Sequence, residues 1–270
     1  METLCFWGFY LIMKLPIHFP NLYPVSKFSF LLLLITFSGC STATKDLASD
    51  WIEKTNIAHG TTVLDHTSFR FTFREYTYGL TQRKYTKYYS RTKSTPAGYL
   101  TDTLYNGKDF KRWINQKPVK VSDSLQKLYS ESINSVLYFM QLPKVLKHAA
   151  VQAHYLGEED LLGEPYVRLK VTFQQAGGGL DYQDEYRYWI HKKTHLLDFL
   201  AYRFYSGKGG TRFRKASHRK HVNGMIFQNY ENFSPPTPFP PLDSIASLYT
   251  KGKLKKISDI QQQEIYFLMP

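Results

Sequence analysis

Arg212 and Arg214 stand two residues apart with Phe213 between them. On an extended strand the two guanidinium groups project from one face and the ring from the other. Such a pair of forks suits an anionic head group, or cross-strand pairing with an acid such as Asp184. Asp181, Asp184 and Glu185 follow the run Gly177-Gly178-Gly179 and would supply an acid and a base only if burial set their pKa values apart. Carboxylates are mostly exposed, so they read first as a solvated turn. The glycines are not a phosphate loop, because no Gly-Lys-Ser/Thr follows and they open a strand, not a helix. His59, beside Gly60, is either a pocket residue or a histidine that offsets the carbonyls of a helix end. His191 and His195 flank a turn, and His218 and His221 sit with Arg219 and Lys220, whose charge opposes a divalent cation. No metal and no cofactor is assigned, and no Gly-x-Ser-x-Gly motif supplies a nucleophile.

The elements that hold these residues are mostly strands. In 166–174, Tyr166, Arg168, Lys170 and Thr172 alternate with Val167, Leu169, Val171 and Phe173, giving one wet and one apolar face. Further strands are expected at 151–156, 185–190, 196–205, 211–222 and 225–233, separated by turn-formers that include Gly207–Gly210 and the hairpin pair Asn223-Gly224. Upstream, Phe69, Phe71 and Phe73 alternate with Arg70 and Arg74, and strands follow at 84–91, 98–105 and 109–114, the last two joined at Asn106-Gly107. The period changes at Ser122. Leu125, Leu128, Tyr129, Ile133, Val136 and Leu137 recur at helical steps towards Met140, until Pro143 interrupts, and this helix must lay its face on a sheet. A first helix is expected over 46–58, with Leu47, Trp51 and Ile52 on one face and Gly60 as terminator, and a short one over 242–249. The proline-rich 235–241 reads as an extended connector, and the tail to Pro270 carries little signal.

The fold class is therefore mainly β (α+β): a curved antiparallel sheet covered by an N-terminal and an internal helix. The aromatic content of 16%, with 21 Tyr and 19 Phe, supplies the bulk for a core or an apolar groove. Phe69, Phe71, Phe73, Val171, Phe173 and Trp189 are expected to line such a groove for a lipid or acyl chain, with Arg212 and Arg214 at its head group. The formal net charge is +13 and attracts anions. The basic residues are spread along strands without a nucleic-acid motif, which favours an anionic lipid surface or a solubilising role.

Residues 28–37 form an apolar run preceded by Lys14 and Lys27 and followed by Ser38-Gly39-Cys40. The run is short for a membrane span, and small residues stand at the cut. The layout is similar to a bacterial lipoprotein signal, apart from Phe37 where a smaller residue is usual, and the resemblance implies lipid modification of Cys40. Cys5, the other cysteine, lies upstream of the cut, and the aromatic 1–12 fits no signal n-region, which points to a start at Met13. On this reading 1–39 is the signal, 40–45 a tether and 46–270 a single domain. Ser41 in place of Asp, with no acidic run after it, implies the outer membrane facing the periplasm.

The order of elements resembles the periplasmic lipoprotein carriers and their outer-membrane receptor (Lol-type), an incomplete β-barrel closed by helices. Ile57-Ala58-His59-Gly60, Phe110-Lys111-Arg112, Ser132–Val136, Lys170–Phe173, Tyr188-Trp189-Ile190, Gly209–Arg214 and Val222-Asn223-Gly224 resemble a Bacteroidota lipoprotein family of unknown function. Thr61 departs from the second glycine expected there. The implied function is an outer-membrane-anchored lipoprotein that binds an apolar ligand. The alternatives are an envelope hydrolase working through Asp181, Asp184 or His59, and a purely structural envelope protein.

Overall fold

Alternation of apolar and polar residues builds two sheets whose strands, the last excepted, lie side by side in chain order. The computed structural model describes residues 46–83, 86–178 and 182–268; the signal and tether segments, Cys40 and Asp181 lie outside them. The first sheet contains β1 (Ser68–Phe73), β2 (Tyr76–Arg83), β3 (Thr86–Thr95), β4 (Gly98–Tyr105), β5 (Asp109–Ile114) and β6 (Lys117–Val119). The second contains β7 (Val151–Leu161), β8 (Glu164–Phe173), β9 (Glu185–His191), β10 (Leu197–Phe204), β11 (Gly210–Val222), β12 (Met225–Ser234) and β13 (Lys255–Ile260). The last strand, β14 (Gln263–Leu268), returns to pair with β1, so each sheet has seven strands among the described residues. All pairings are antiparallel. Among the described residues neither sheet closes on itself. Register shifts in the β1–β14, β7–β8, β9–β10, β11–β12 and β12–β13 pairs bend the strands, and the result is an incomplete barrel.

Local chemistry fixes the joints. Asn106 and Gly107 take φ of 49° and 70°, and Asn223 and Gly224 take 48° and 79°, the positive pair that tight hairpins need. The helix α1 (Leu47–His59) starts at Asp46, whose carboxylate accepts from the Ala48 N–H at 3.1 Å. It buries Ala48, Ile52, Thr55, Asn56 and His59, while Leu47, expected on the buried face, is 55% exposed. The second helix, α2 (Asp123–Met140), begins after Ser122 as predicted. Its final turns bury Ile133, Leu137 and Met140 against Phe69, Phe71, Tyr78 and Leu104 of the first sheet, and turn Tyr138 and Phe139 onto the second. Behind the second sheet, α3 (Ile245–Thr250) seals a further cluster around Trp189 and Phe213.

The terminator of α1 has a sharper role than stopping a helix. Gly60 has φ of 66°, and its N–H bonds to the carbonyls of Asn56 and Ile57. A Cβ at this position would overlap the carbonyl oxygen of Gly224 in the β11–β12 turn. Gly60→Ala is expected to cost about 2 kcal/mol or more, from left-handed strain and the overlap together. Urea denaturation checks this, and an unchanged midpoint would mean that the turn moves aside without cost.

Candidate functional site

The register of the first sheet places Arg91, Asp102 and Arg112 in one row across β3, β4 and β5. Asp102 is fully buried and accepts from Arg91 Nε at 2.9 Å, from Arg112 Nε at 2.7 Å and from Arg112 Nη2 at 2.9 Å. These bonds hold the pKa of Arg112 above its ordinary value. Arg91 Nη1 also donates to Ser132 Oγ of α2 at 3.0 Å, and the Arg112 guanidinium lies 4.1 Å from the Tyr129 ring centroid. Polar and cation–π contacts thus tie the middle of α2 to the sheet, where apolar packing serves its final turns.

The first turns of α2 have no such cover. Leu125 and Leu128 are 42% and 56% exposed, although their spacing predicts a buried face. Where β6 leads into α2, a concavity of about 480 Å³ is lined by Phe110, Trp113, Pro118, Val119 and Val121 together with Lys111, Arg112, Lys120 and, from α2, Asp123 and Gln126. A second, of about 580 Å³, adjoins it along the β4–β5 turn and adds Tyr105 and Lys108. The two share Phe110, Lys111 and Gln126, and their carboxylates are Asp109 and Asp123. The space under α2 is therefore packed at the C-terminal end and open at the N-terminal end. An apolar wall with a cationic rim can receive an amphiphile with an acidic head.

The structure divides the six expected groove residues among three clusters. Phe69 and Phe71 are buried between α2 and the first sheet with Phe73 at the margin, and Val171 and Phe173 belong to the inner cluster of the second sheet. Trp189 points the other way, under α3, and its indole N–H donates to Glu159 Oε2 at 2.8 Å. Arg212 and Arg214 do share one face of β11, opposite Phe213, but their cross-strand neighbours are Tyr202 for Arg212 and Leu200 and Asn232 for Arg214, not Asp184. Arg212 lies over the Phe204 ring at 5.1 Å, and its Nη1 donates to the Thr211 carbonyl at 2.8 Å. Arg214 is buried, with its guanidinium 3.8 Å from the Phe139 centroid and Nη2 donating to Tyr202 Oη at 2.9 Å; its Nε has no hydrogen-bond partner.

Asp184 is buried at 6% exposure, so the expected solvated turn does not describe it. His59 is completely buried at the end of α1. The Leu197 N–H donates to its Nε2 at 3.1 Å, which leaves Nδ1 as the protonated nitrogen facing the Ile226 carbonyl at 3.4 Å. Burial lowers its pKa from 6.5 to about 4. With both nitrogens held by backbone, the ring has no free lone pair to act as a base. It joins α1 to β10 and β12 instead.

No curated protein matches the sequence. The fold is similar to that of a DUF1329 family protein from Desulfovibrio piger, at 13% identity over 82% of this chain and 93% of that one, with a TM-score of 0.47. It is also similar to a LolA superfamily protein from Nitrosomonas europaea (12% identity, 81% and 92% of the two chains, TM-score 0.46). An outer membrane lipoprotein-sorting protein domain from Vibrio parahaemolyticus is similar at 10% identity, over 82% and 93%, with a TM-score of 0.41. Residues 27–262 match a family of unknown function, DUF6503, and the chain belongs to that family.

Proposed function

We propose that this protein is an envelope lipoprotein that binds a lipid or acyl chain with an acidic head in the notch between the first turns of α2 and the β5–β6 edge. The observation that carries the reading is the apolar lining of Phe110, Trp113, Val119 and Val121 beside Lys108, Lys111 and Lys120. Exposed apolar surface of this kind, beside a rim in which Lys108, Lys111, Arg112 and Lys120 outnumber Asp109 and Asp123, favours a ligand that carries both features. The unpartnered Nε of Arg214 favours a second seat for the same head group on the inner face of β11, where Phe139 and Tyr202 pack with Val171 and Phe173 in one apolar cluster. In the same reading, 1–39 is removed, Cys40 carries the lipid anchor, and the domain faces the periplasm from the outer membrane.

The test is native mass spectrometry of the full protein extracted in mild detergent, with the bound lipids identified. The parent is expected to retain an amphiphile. Val119→Glu with Val121→Glu, both in the lining of the notch, is expected to lower its occupancy by about tenfold or more, since each valine withdrawn from the contact forfeits its apolar burial, with little change in melting temperature. A ligand-free parent, or a double variant that keeps its ligand, would overturn the reading.

A further inference from the structure

At one end of the second sheet, two segments far apart in sequence make a joint tip. Residues 205–208, Tyr-Ser-Gly-Lys, follow β10, and residues 236–239, Pro-Thr-Pro-Phe, follow β12; all eight are exposed. Tyr205 and Phe239 stack on each other, with centroids 6.2 Å apart and planes inclined by 15°, yet they remain 50% and 47% exposed. A pair of large rings that meets only partly and keeps half its surface in water is unusual for a region whose polar alternatives are short and plentiful.

The tip is braced. Arg203 Nη2 donates to the Pro240 carbonyl at 2.7 Å and ties the proline segment to the end of β10. Phe239 lies so close over Gly209 that a Cβ there would meet its Cζ at 2.8 Å, and Gly209 itself has φ of 63°. Pro235 and Pro240 are buried on either side of the exposed run. Prolines and a pinned ring leave little conformational entropy to lose on contact. The eight residues include Lys208 and no carboxylate, and the nearby Asp243 is engaged by Arg187 at 2.7 Å.

We propose that the Tyr205–Phe239 tip is a membrane-contact site that inserts its ring pair into the interfacial layer of an anionic bilayer, with Lys208 at the level of the head groups. Aromatic rings with one apolar body and a wet edge partition to that layer, and a lysine beside them is drawn to anionic lipid. The chain's net charge of +13 acts in the same direction. This contact is separate from the α2 notch: it fixes how the domain is held against a bilayer and is independent of which ligand it carries.

The experiment uses the full chain reconstituted into vesicles of phosphatidylcholine with and without phosphatidylglycerol. Phe239→Trp and, separately, Tyr205→Trp are compared with Tyr99→Trp, a control at a side chain 67% exposed in the first sheet. In vesicles containing phosphatidylglycerol, emission taken as the difference from the parent, which carries the same native tryptophans, is expected to shift to the blue and to be quenched by brominated acyl chains for either tip position, while the difference for the control is not. Lys208→Glu is expected to abolish the shift. Equal quenching at the tip and the control, or no quenching at either tip position, would overturn the proposal and leave a protein partner as the occupant of the tip.

Discussion

Asp102→Ala is expected to destabilise the protein by about 3–5 kcal/mol, because it leaves the buried guanidinium groups of Arg91 and Arg112 without their shared counter-charge. The side chains of Arg91 and Asp102 are 5% and 0% exposed, and water reaches the vacated place only past Arg112, 14% exposed at the edge of the notch, so it replaces the carboxylate poorly and supplies no charge. Asp102→Asn should fall between parent and Ala, since the amide accepts one hydrogen bond but carries no charge. The informative control is Arg91→Met with Asp102→Leu and Arg112→Met. Removal of a whole buried ionic group by residues of similar volume is often neutral, so the triple variant should recover much of the loss in urea denaturation. If the triple variant is no more stable than Asp102→Ala, the loss comes from disturbed packing and not from orphaned charge. The same substitution should loosen the first half of α2, which leans on the row through Ser132 and Tyr129, and so lower ligand occupancy of the notch.

Acid should unfold the protein through His59 before it does so through the carboxylates. The unfolded chain takes up this proton at pH 6.5, whereas the folded state resists it down to about pH 4. The stabilisation is therefore complete above pH 6.5 and is lost progressively as pH falls to 4, by roughly 3 kcal/mol over that interval. Carboxylates with lowered pKa values, such as Glu185 and Asp243, begin from 4.5 and 3.8 and are lowered from there, so their losses come at more acid pH. His59→Leu should remove the slope between pH 6.5 and 4.5. It should also lower stability at pH 7 by about 1–3 kcal/mol, since the Leu197 N–H and Ile226 carbonyl lose their partner. A Leu variant with the parent's slope would assign the acid sensitivity to another group.

The reach of the sequence was set by distance along the chain. β4 and β5 were legible because alternation and a turn signal coincide within twenty residues, and α2 because six apolar residues keep helical spacing. The Arg91–Asp102–Arg112 row was not, although all three strands were foreseen at least in part. A two-residue loop at Asn106-Gly107 would pair Tyr105 with Lys108, but the structure pairs it with Asp109, and a slip of one residue exchanges the faces of a strand. His59 and Gly60 could not be interpreted alone, since their partners lie in Leu197, Gly224 and Ile226. β2 escaped because the turn before it is made by Arg74 at φ of 56°, a residue with no turn signature. The tail was missed as β13 and β14, which sit at sheet edges where Ile257 and Tyr266 stay exposed and little alternation is needed. Leu125 and Leu128 illustrate the opposite error, in which a helical stripe is longer than the sheet that covers it.

The return of β14 to β1 has a bearing on how the chain comes to be folded. Ser68 pairs with Leu268 and Phe69 with Phe267, so β1 is completed only by a strand that is synthesised about 200 residues later. Until then one edge of the first sheet, with Phe69 and Phe71 behind it, has open backbone donors and acceptors. Closure over so long a loop is slow, and an unsatisfied edge of this kind templates pairing between chains. Loss of the final ten residues would therefore act less by removing contacts than by leaving a permanently adhesive margin, and the consequence would be aggregation in place of a soluble, weakened monomer.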